Sequence, residues 1–374
     1  MQCDEQRPGC GQCLHGKRSC TYTTPPQTDM PTNDGRAQLI RTPNQHVSAL
    51  LGKLASTSYH RGVDPLELLN HFVQTTEPLW MGSAQCQRLL QQNAPRVALG
   101  SSFLLHAMLA FSAYHIAAIR PGQQPHEHAG ALHYSLALQS YRKALDKKSA
   151  DAEALFACCM LLTLLSFKHL SDDLYDDDTS KRQQSLTLDT VGIRFIGGPR
   201  ILIDALARRS MLDQGIWEPL TRNCKEYLVK NDDMLVGFPG ASQSMAGLEA
   251  LCRSDEVSSP FHTALMSLRL LMQCYVSCKH KMVEFTFCFA IQLDPRFLRF
   301  IEESVPKALL VLCYWYALVA QVDQWWAHRT AQVEGLKLLC YLQDNADLAV
   351  QALLVFPADL LNAQSSTMQI PIIL

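Results

Sequence analysis

Apolar side chains recur at helical spacing over most of the chain. In the segment PLELLNHFVQTT, Leu66, Leu69 and Phe72 share one face of a helix, and Asp64 is placed to cap that helix just before Pro65. Alternating patterns typical of strands are scarce. The pattern therefore predicts an all-α fold.

The three segments that follow are also helical. Residues 101–120 are apolar on nearly all sides, which is typical of an interior helix. Residues 126–148 form a long amphipathic segment, and residues 151–167 begin with a cap and become wholly apolar. The short connections between them predict that neighbours pack antiparallel. Further helices are predicted over residues 189–209, 210–229, 262–284, 306–330 and 334–356.

The 374 residues are 48% hydrophobic and 18% charged, which is enough apolar material for a large core. Such a composition excludes wholesale disorder. With 33 basic and 35 acidic side chains, the net charge is −2. A protein that binds nucleic acid over its whole surface usually has a basic excess, so any such contact is expected in a small module. No membrane span is predicted, because the longest uncharged stretch, residues 97–119, contains several Ser and His side chains.

Composition divides the chain into three parts. Residues 23–63 contain a Pro-, Thr- and Asp-rich stretch that predicts a flexible linker. Within it, a short apolar repeat around Leu50 and Leu51 favours a brief dimerising helix. Residues 1–22 precede this linker, and residues 64–374 form the helical body.

Four of the fourteen cysteines, Cys3, Cys10, Cys13 and Cys20, lie in the first twenty residues. The chain begins without the apolar core of a signal peptide, so reduced thiols in the cytosol or nucleus are expected. Four close thiols in a reducing compartment are typical zinc ligands. A disulfide knot and unliganded thiols in a disordered segment are the alternatives.

The same residues closely resemble part of a known module. The pattern Cys-Asp-Glu-x-x-Pro-x-Cys-x-x-Cys, followed after six residues by Cys-x-Tyr, is similar to the second half of the fungal binuclear zinc cluster with six cysteines. That module binds DNA in transcription regulators. The resemblance implies that the third to sixth zinc ligands are Cys3, Cys10, Cys13 and Cys20.

The chain departs from that pattern upstream. The first Cys-x-x-Cys and its basic run would lie before Met1, so the resemblance implies a cluster that is truncated at its N-terminus and holds at most one zinc ion. A missed upstream exon or start codon is the simplest explanation, and a naturally shortened regulator is the alternative. Lys17 and Arg18 are the candidate contacts to DNA phosphates, and their small positive charge predicts weak binding by this segment alone.

The helical body resembles the regulatory domain of a fungal regulator family that includes the sterol uptake control proteins. The similar stretches include LELLNHFVQTTEPLW and VPKALLVLCYWYALVAQVDQWW. The resemblance implies a helical domain that forms a homodimer and, in the sterol-sensing members, holds a lipid. Side chains that could line an apolar effector pocket, unless they are plain core, are Met266, Met272, Phe285, Phe287, Phe289, Trp315, Trp325 and Trp326.

Enzymatic chemistry is not predicted. His106 and His115 lie nine residues apart, half a turn out of phase on one helix, and are interpreted as hydrogen-bonded histidines. His126 and His128 are expected on different sides of their helix. Cys274 and Cys278 share a helix face and are interpreted as core, with a reactive pair as the alternative.

These observations favour a nuclear fungal zinc-cluster transcription factor that binds promoter DNA if the missing half of its cluster is present. Its genes would serve sterol and lipid homeostasis or a secondary-metabolite cluster. The alternative is a helical ligand-binding, scaffold or coregulator protein that has lost DNA binding through the truncation.

Overall fold

A computed structural model describes residues 63–75, 84–120, 122, 124–146, 151–172, 239–252, 259–277, 282–283, 285–286, 289 and 293–365. All of them belong to one compact unit, Thr42–Leu374. Of these described residues 84% are helical and none lies in a strand, so the prediction of an all-α fold is confirmed for this part of the chain. The helices predicted over 189–209 and 210–229 lie outside it.

Five helices form a first group around one central helix. Their bounds are Pro65–Gln74 (α1), Ala84–Ala98 (α2), Ser102–Ile119 (α3), Gln124–Leu145 (α4) and Ala152–Asp172 (α5). The central helix, α3, contacts the other four, and its contact with α4 is the most extensive between any two helices of the described part. These sequence neighbours therefore pack against one another, as predicted, and their antiparallel direction stays a prediction.

The first of these helices begins as the sequence predicts. The Asp64 carboxylate accepts a hydrogen bond of 2.8 Å from the backbone N–H of Leu66, and Pro65 takes the first helical position. This arrangement satisfies a backbone donor that the helix itself cannot pair. Leu68, Leu69 and Phe72 are buried on the inner face, which holds α1 against α3.

The interior position predicted for residues 101–120 is also confirmed. By length and composition alone α3 would be able to cross a membrane, which is weak evidence for a span. Here 78% of the helix is buried inside the protein. Its apolar surface is therefore covered by α1, α2, α4 and α5.

Seven helices form a second group. Their bounds are Pro239–Cys252 (α6), His262–Ser277 (α7), Pro295–Glu302 (α8), Pro306–Val319 (α9), His328–Asn345 (α10), Leu348–Gln351 (α11) and Val355–Ser365 (α12). The central helix is α9, whose residues Ala308 to Val319 are all buried, and it contacts the other six. The Thr330 hydroxyl on α10 donates a hydrogen bond of 2.7 Å to the Phe167 carbonyl on α5 and so links the two groups.

Two predicted helices are shorter than the sequence pattern indicates. The helix predicted over 306–330 ends at Val319, and turns follow until α10 begins at His328. There the Nδ1–H group of His328 donates a hydrogen bond of 2.7 Å to the Ala320 carbonyl. If the helix continued, its own backbone would pair this carbonyl; because the helix ends, the histidine supplies the donor instead.

The helix predicted over 334–356 is interrupted at Ala346. The Asp347 carboxylate accepts from the Val350 N–H over 2.9 Å and caps the new helix α11. A good N-cap inside a helical pattern starts a second helix at the cost of the first.

Candidate effector site and buried histidines

The predicted zinc ligands and phosphate contacts lie outside the described residues, so nothing in the structure tests them. They are Cys3, Cys10, Cys13, Cys20, Lys17 and Arg18. Within the described part, no three or more His, Cys, Asp or Glu side chains are grouped so that they could hold a metal ion.

Several of the predicted pocket residues meet in one aromatic cluster between the two helix groups. Trp315 of α9 stacks on Phe289 with ring centroids 5.2 Å apart and 16° between the ring planes. Phe167 of α5 meets Trp315 edge-on at 5.8 Å and Trp326 at 6.0 Å. The aromatic cluster (Phe167, Phe289, Trp315 and Trp326) contains three of the residues that were candidates for a pocket lining or for plain core, and Phe167 was not among those candidates.

The other candidates lie elsewhere. Met272 and Phe285 are buried, but Met266 is 37% exposed on α7, so its assignment to an apolar lining is wrong. Phe287 lies outside the described residues. Trp325 packs against Phe111 of α3, with ring centroids 5.2 Å apart.

The indole groups of Trp315 and Trp325 carry buried donors. The Nε1 atoms of Trp315 and Trp325 are inaccessible to solvent and have no hydrogen-bond partner among the described residues. A buried N–H without an acceptor costs free energy, and ordered water or a ligand usually supplies the acceptor. The cluster is thus an apolar environment that contains the unpaired indole donor of Trp315.

Histidines join the central helix α3 to its neighbours. Nε2 of His71 on α1 and Nδ1 of His115 are 2.8 Å apart, and the two Nδ1 atoms of His106 and His133 on α4 are 3.1 Å apart. In each pair one ring nitrogen donates and the other accepts. The prediction of hydrogen-bonded histidines on opposite sides of one helix is therefore confirmed.

Burial lowers the pKa values of His71, His106 and His115. The pKa of His115 falls to about 4, first because the ring is buried and second because His71 lies beside it. Burial also lowers the pKa of His71 and of His106. An imidazolium ion loses its hydration in such surroundings, so the neutral form is favoured.

Further charged and titratable side chains lie on the helices that pack against α3. His126 on α4 is buried while His128 is exposed, which confirms that they lie on different sides. Nε2 of His126 lies 3.9 Å from Oε1 of Glu67 on α1. Lys168 of α5 places its Nζ 4.3 Å from the ring centre of Tyr114 and 3.4 Å from Oε2 of Glu127.

The buried thiols behave as core side chains. Burial raises the pKa of Cys159 to about 11 and the pKa values of Cys252 and Cys313 to about 12. A thiol that stays protonated at neutral pH is a poor nucleophile. Cys274 is also buried, while Cys278 lies outside the described residues.

Sequence reasoning missed Phe167 and His71, and it considered His133 among the clustered histidines without predicting that it pairs with His106. Phe167 ends a wholly apolar run in which nothing distinguishes it from its neighbours. His71 lies three residues after Leu68 and next to Phe72, both on the inner face of α1. Residues three or four apart share a helix face, so this spacing is the one local signal that the ring of His71 turns inward.

Comparison with known families supports a regulatory role for the first helix group. Residues 67–212 match the family model of the fungal specific transcription factor domain. The match begins inside α1, includes α2 to α5 and covers less than half of the chain. It indicates a fungal transcription regulator and points away from an enzyme. A comparison with curated proteins found no match.

Proposed function

We propose that this protein is a nuclear fungal transcription factor of the zinc-cluster class, with a helical body that serves as its regulatory domain. The match of residues 67–212 to the fungal specific transcription factor domain is the observation that carries this proposal. The cysteine pattern of residues 3–20 adds the zinc-cluster class, with Cys3, Cys10, Cys13 and Cys20 as ligands of one zinc ion. Lys17 and Arg18 would contact DNA phosphates.

Native mass spectrometry of the full chain tests the metal assignment. We expect one zinc ion per chain and its loss in the C10S/C13S variant. Cys340, an exposed thiol on α10, offers the matched control, because C340S removes a thiol that has no part in the proposed site. Vacant thiols in freshly isolated protein, or equal zinc content in both variants, would contradict the assignment.

The domain division follows from the same proposal. Residues 1–22 would form the partial zinc cluster, residues 23–63 the linker with its short dimerising helix, and residues 64–374 the regulatory domain. Analytical ultracentrifugation of the full chain is expected to show a homodimer. A monomer at all concentrations would remove that part of the proposal.

An apolar effector is the second element of the proposed regulation. The aromatic cluster supports it, because the buried indole N–H of Trp315 lacks an acceptor among the described residues. A sterol or another lipid with a single oxygen would supply that acceptor. A regulator with such an effector would control sterol and lipid homeostasis or a secondary-metabolite cluster.

Energy transfer from tryptophan to the fluorescent sterol dehydroergosterol tests the effector. Trp315→Phe keeps an aromatic ring but removes the N–H, so we expect at least tenfold weaker binding of the sterol. Leu348→Ala on the exposed surface of α11 is the matched control and should bind as the unmodified chain does. Absence of saturable binding by the unmodified chain would refute a sterol effector.

The alternative function is a helical ligand-binding, scaffold or coregulator protein without DNA contact. It would be favoured if the full chain bound the sterol but neither zinc nor promoter fragments. The all-helical described part suits both functions, so the zinc measurement decides between them.

A further inference from the structure

Two histidine pairs hold the central helix α3 from opposite sides. The rings of His71 and His115 have centroids 5.0 Å apart, and those of His106 and His133 are stacked at 5.2 Å. The first pair joins α3 to α1, a helix of ten residues. The second joins α3 to α4 within the most extensive helix contact of the described part.

A pair of imidazoles at hydrogen-bond distance responds to protons in two steps. A neutral pair shares one N–H between its facing nitrogens, and a singly charged pair still does so. When both rings are charged, an N–H points at an N–H and two positive charges repel each other across 2.8 Å. Such a joint therefore survives the first proton and breaks with the second.

The surroundings of the first pair make the second proton costly. Trp325 covers His115 with ring centroids 5.5 Å apart, and His115 is only 4% exposed. Burial, Arg120 and His126 lower the pKa of His71, while Glu67 one turn earlier acts in the opposite direction. The first proton thus fits best on His71 beside Glu67, and the second has to enter the buried ring of His115.

Other charged and titratable groups come from each element packed on α3. The first two helices contribute Asp64, which caps α1, Glu67 on α1, and Arg88 and Arg96 on α2. Helix α4 contributes the largest set, which is His126, Glu127, His128, His133, Tyr134, Tyr141, Arg142 and Lys143. Helix α5 contributes Glu153, Cys158, Cys159 and Lys168, and the turns after α9 contribute Asp323. Among them Glu67 and His126 shift the pKa of His71, as does Arg120 at the end of α3, and His71 itself lowers the pKa of His115.

We propose that the His71–His115 pair is an acid-sensitive joint that releases α1 from α3 as the pH falls, while the remainder of the helical body stays folded. Helix α1 is short and buries three large apolar side chains, so it depends on this joint more than α4 depends on His106 and His133. The joint gives the regulatory body a response to acidification that needs neither zinc nor DNA.

The direction follows from proton linkage. A released histidine titrates near its ordinary pKa of about 6.5, whereas the joined rings titrate lower. The open form therefore binds more protons than the closed form between about pH 6.5 and 4. Opening becomes more favourable as the pH falls through this window, and it is insensitive to pH above it.

Hydrogen exchange of the full chain tests the joint, with exchange times corrected for the intrinsic effect of pH on the chemical rate. Between pH 7.5 and 5.0 we expect the protection of residues 65–74 to fall at least tenfold more than that of residues 306–319 in α9. An equal change in both segments would overturn the proposal.

A pair of variants separates titration from packing. In H71N/H115N the two amides can still share a hydrogen bond but do not titrate, so the protection of α1 should no longer depend on pH. His128, exposed on α4, gives the matched control, and H128N should keep the response of the unmodified chain. Retention of that response in H71N/H115N would overturn the proposal.

A measurement on the unmodified chain guards against a double variant that fails to fold. The Cε1–H signals of the histidines report each ring's titration by NMR. We expect the His71 and His115 signals to titrate below pH 6.5, whereas titration of both at or above 6.5 would overturn the proposal just as clearly.

Discussion

Helices α3 and α9 are both buried on nearly all sides, but different side chains fix them to their neighbours. Along α3 the polar contacts include those of His106 with His133 and of His115 with His71, and burial lowers the pKa values of His71, His106 and His115. Along α9 they include the Tyr314 hydroxyl, which donates to the Leu353 carbonyl over 2.7 Å, the Cys313 thiol, 3.8 Å from the Gly335 carbonyl, and Nζ of Lys307, which donates to the Leu251 carbonyl over 2.9 Å.

The contacts of the two helices differ in how their stability depends on pH. Burial raises the pKa of Cys313 to about 12 and the pKa of Tyr314 further, so neither group changes charge near neutrality. The contacts of Cys313 and Tyr314 on α9 are thus constant over the physiological pH range, while the His71–His115 contact of α3 weakens in acid. The family match to the fungal transcription factor domain covers α3 and ends before α9. The helix group that contains the His71–His115 pair is therefore also the group that matches this domain.

The largest effect is expected at the aromatic cluster. Trp315→Ala removes a side chain that is 1% exposed and contacts Phe167 and Phe289, so it should lower the free energy of unfolding by about 3–5 kcal/mol. Urea unfolding followed by circular dichroism measures the loss, which should be equal at pH 7.5 and 5.5. Leu348→Ala on the surface is the control. A loss below 1 kcal/mol would show that the cluster contributes little to the core.

Acid should lower the stability of the first helix group, α1 to α5, more than that of the second group. The folded pKa of His115 is about 4, so the folded state binds fewer protons than the unfolded state below pH 6.5, and stability is lost as the pH falls towards 4. We expect unfolding to cost about 2 kcal/mol less at pH 5 than at pH 7 through this group. The same loss in H115N would assign the pH dependence to other side chains.

The contact between α3 and α4 depends on a glycine. A Cβ atom at Gly130 would lie 2.8 Å from Cε1 of Tyr114 and within 2.9 Å of two more atoms of that ring. Because an aromatic ring between packed helices has little room to move, Gly130→Ala should cost about 1–3 kcal/mol. Thermal unfolding measures this cost. Gly240→Ala, where a Cβ meets nothing within 4 Å, is the matched control and should change stability little.

The sequence predicts more of the structure of the first helix group, around α3, than of the second group, around α9. The Asp64 cap, the apolar run of α3 and the half-turn between His106 and His115 are local patterns, and the structure contains all three. The end of α9 at Val319 is decided by tertiary contacts instead, since the turns that follow carry Trp325 to α3 and Trp326 to α5.

Local sequence patterns do not predict which side chains pair with the histidines of α3. The choice of His71 and His133 as partners depends on which helices meet, which is a property of the whole fold. Met266 was misplaced because several faces of α7 are apolar, and only the packed structure shows which one is exposed. The zinc ligands remain a sequence prediction.

The smallest effect is expected from the hydroxyl group that ties α9 to the segment after α11. Tyr314 is fully buried, and Tyr314→Phe removes the bond of 2.7 Å to the Leu353 carbonyl and the side-chain hydrogen bond with Ser244, so the free energy of unfolding should fall by about 1–2 kcal/mol. The loss should be the same at pH 7.5 and 5.5, because the raised pKa of Tyr314 keeps its hydroxyl protonated at both. Urea unfolding at the two pH values measures it, with Tyr341→Phe on the partly exposed face of α10 as the control. A loss that appeared only in acid would mean that α9 shares the titrating contacts of α3, and the contrast between the two helices would then fail.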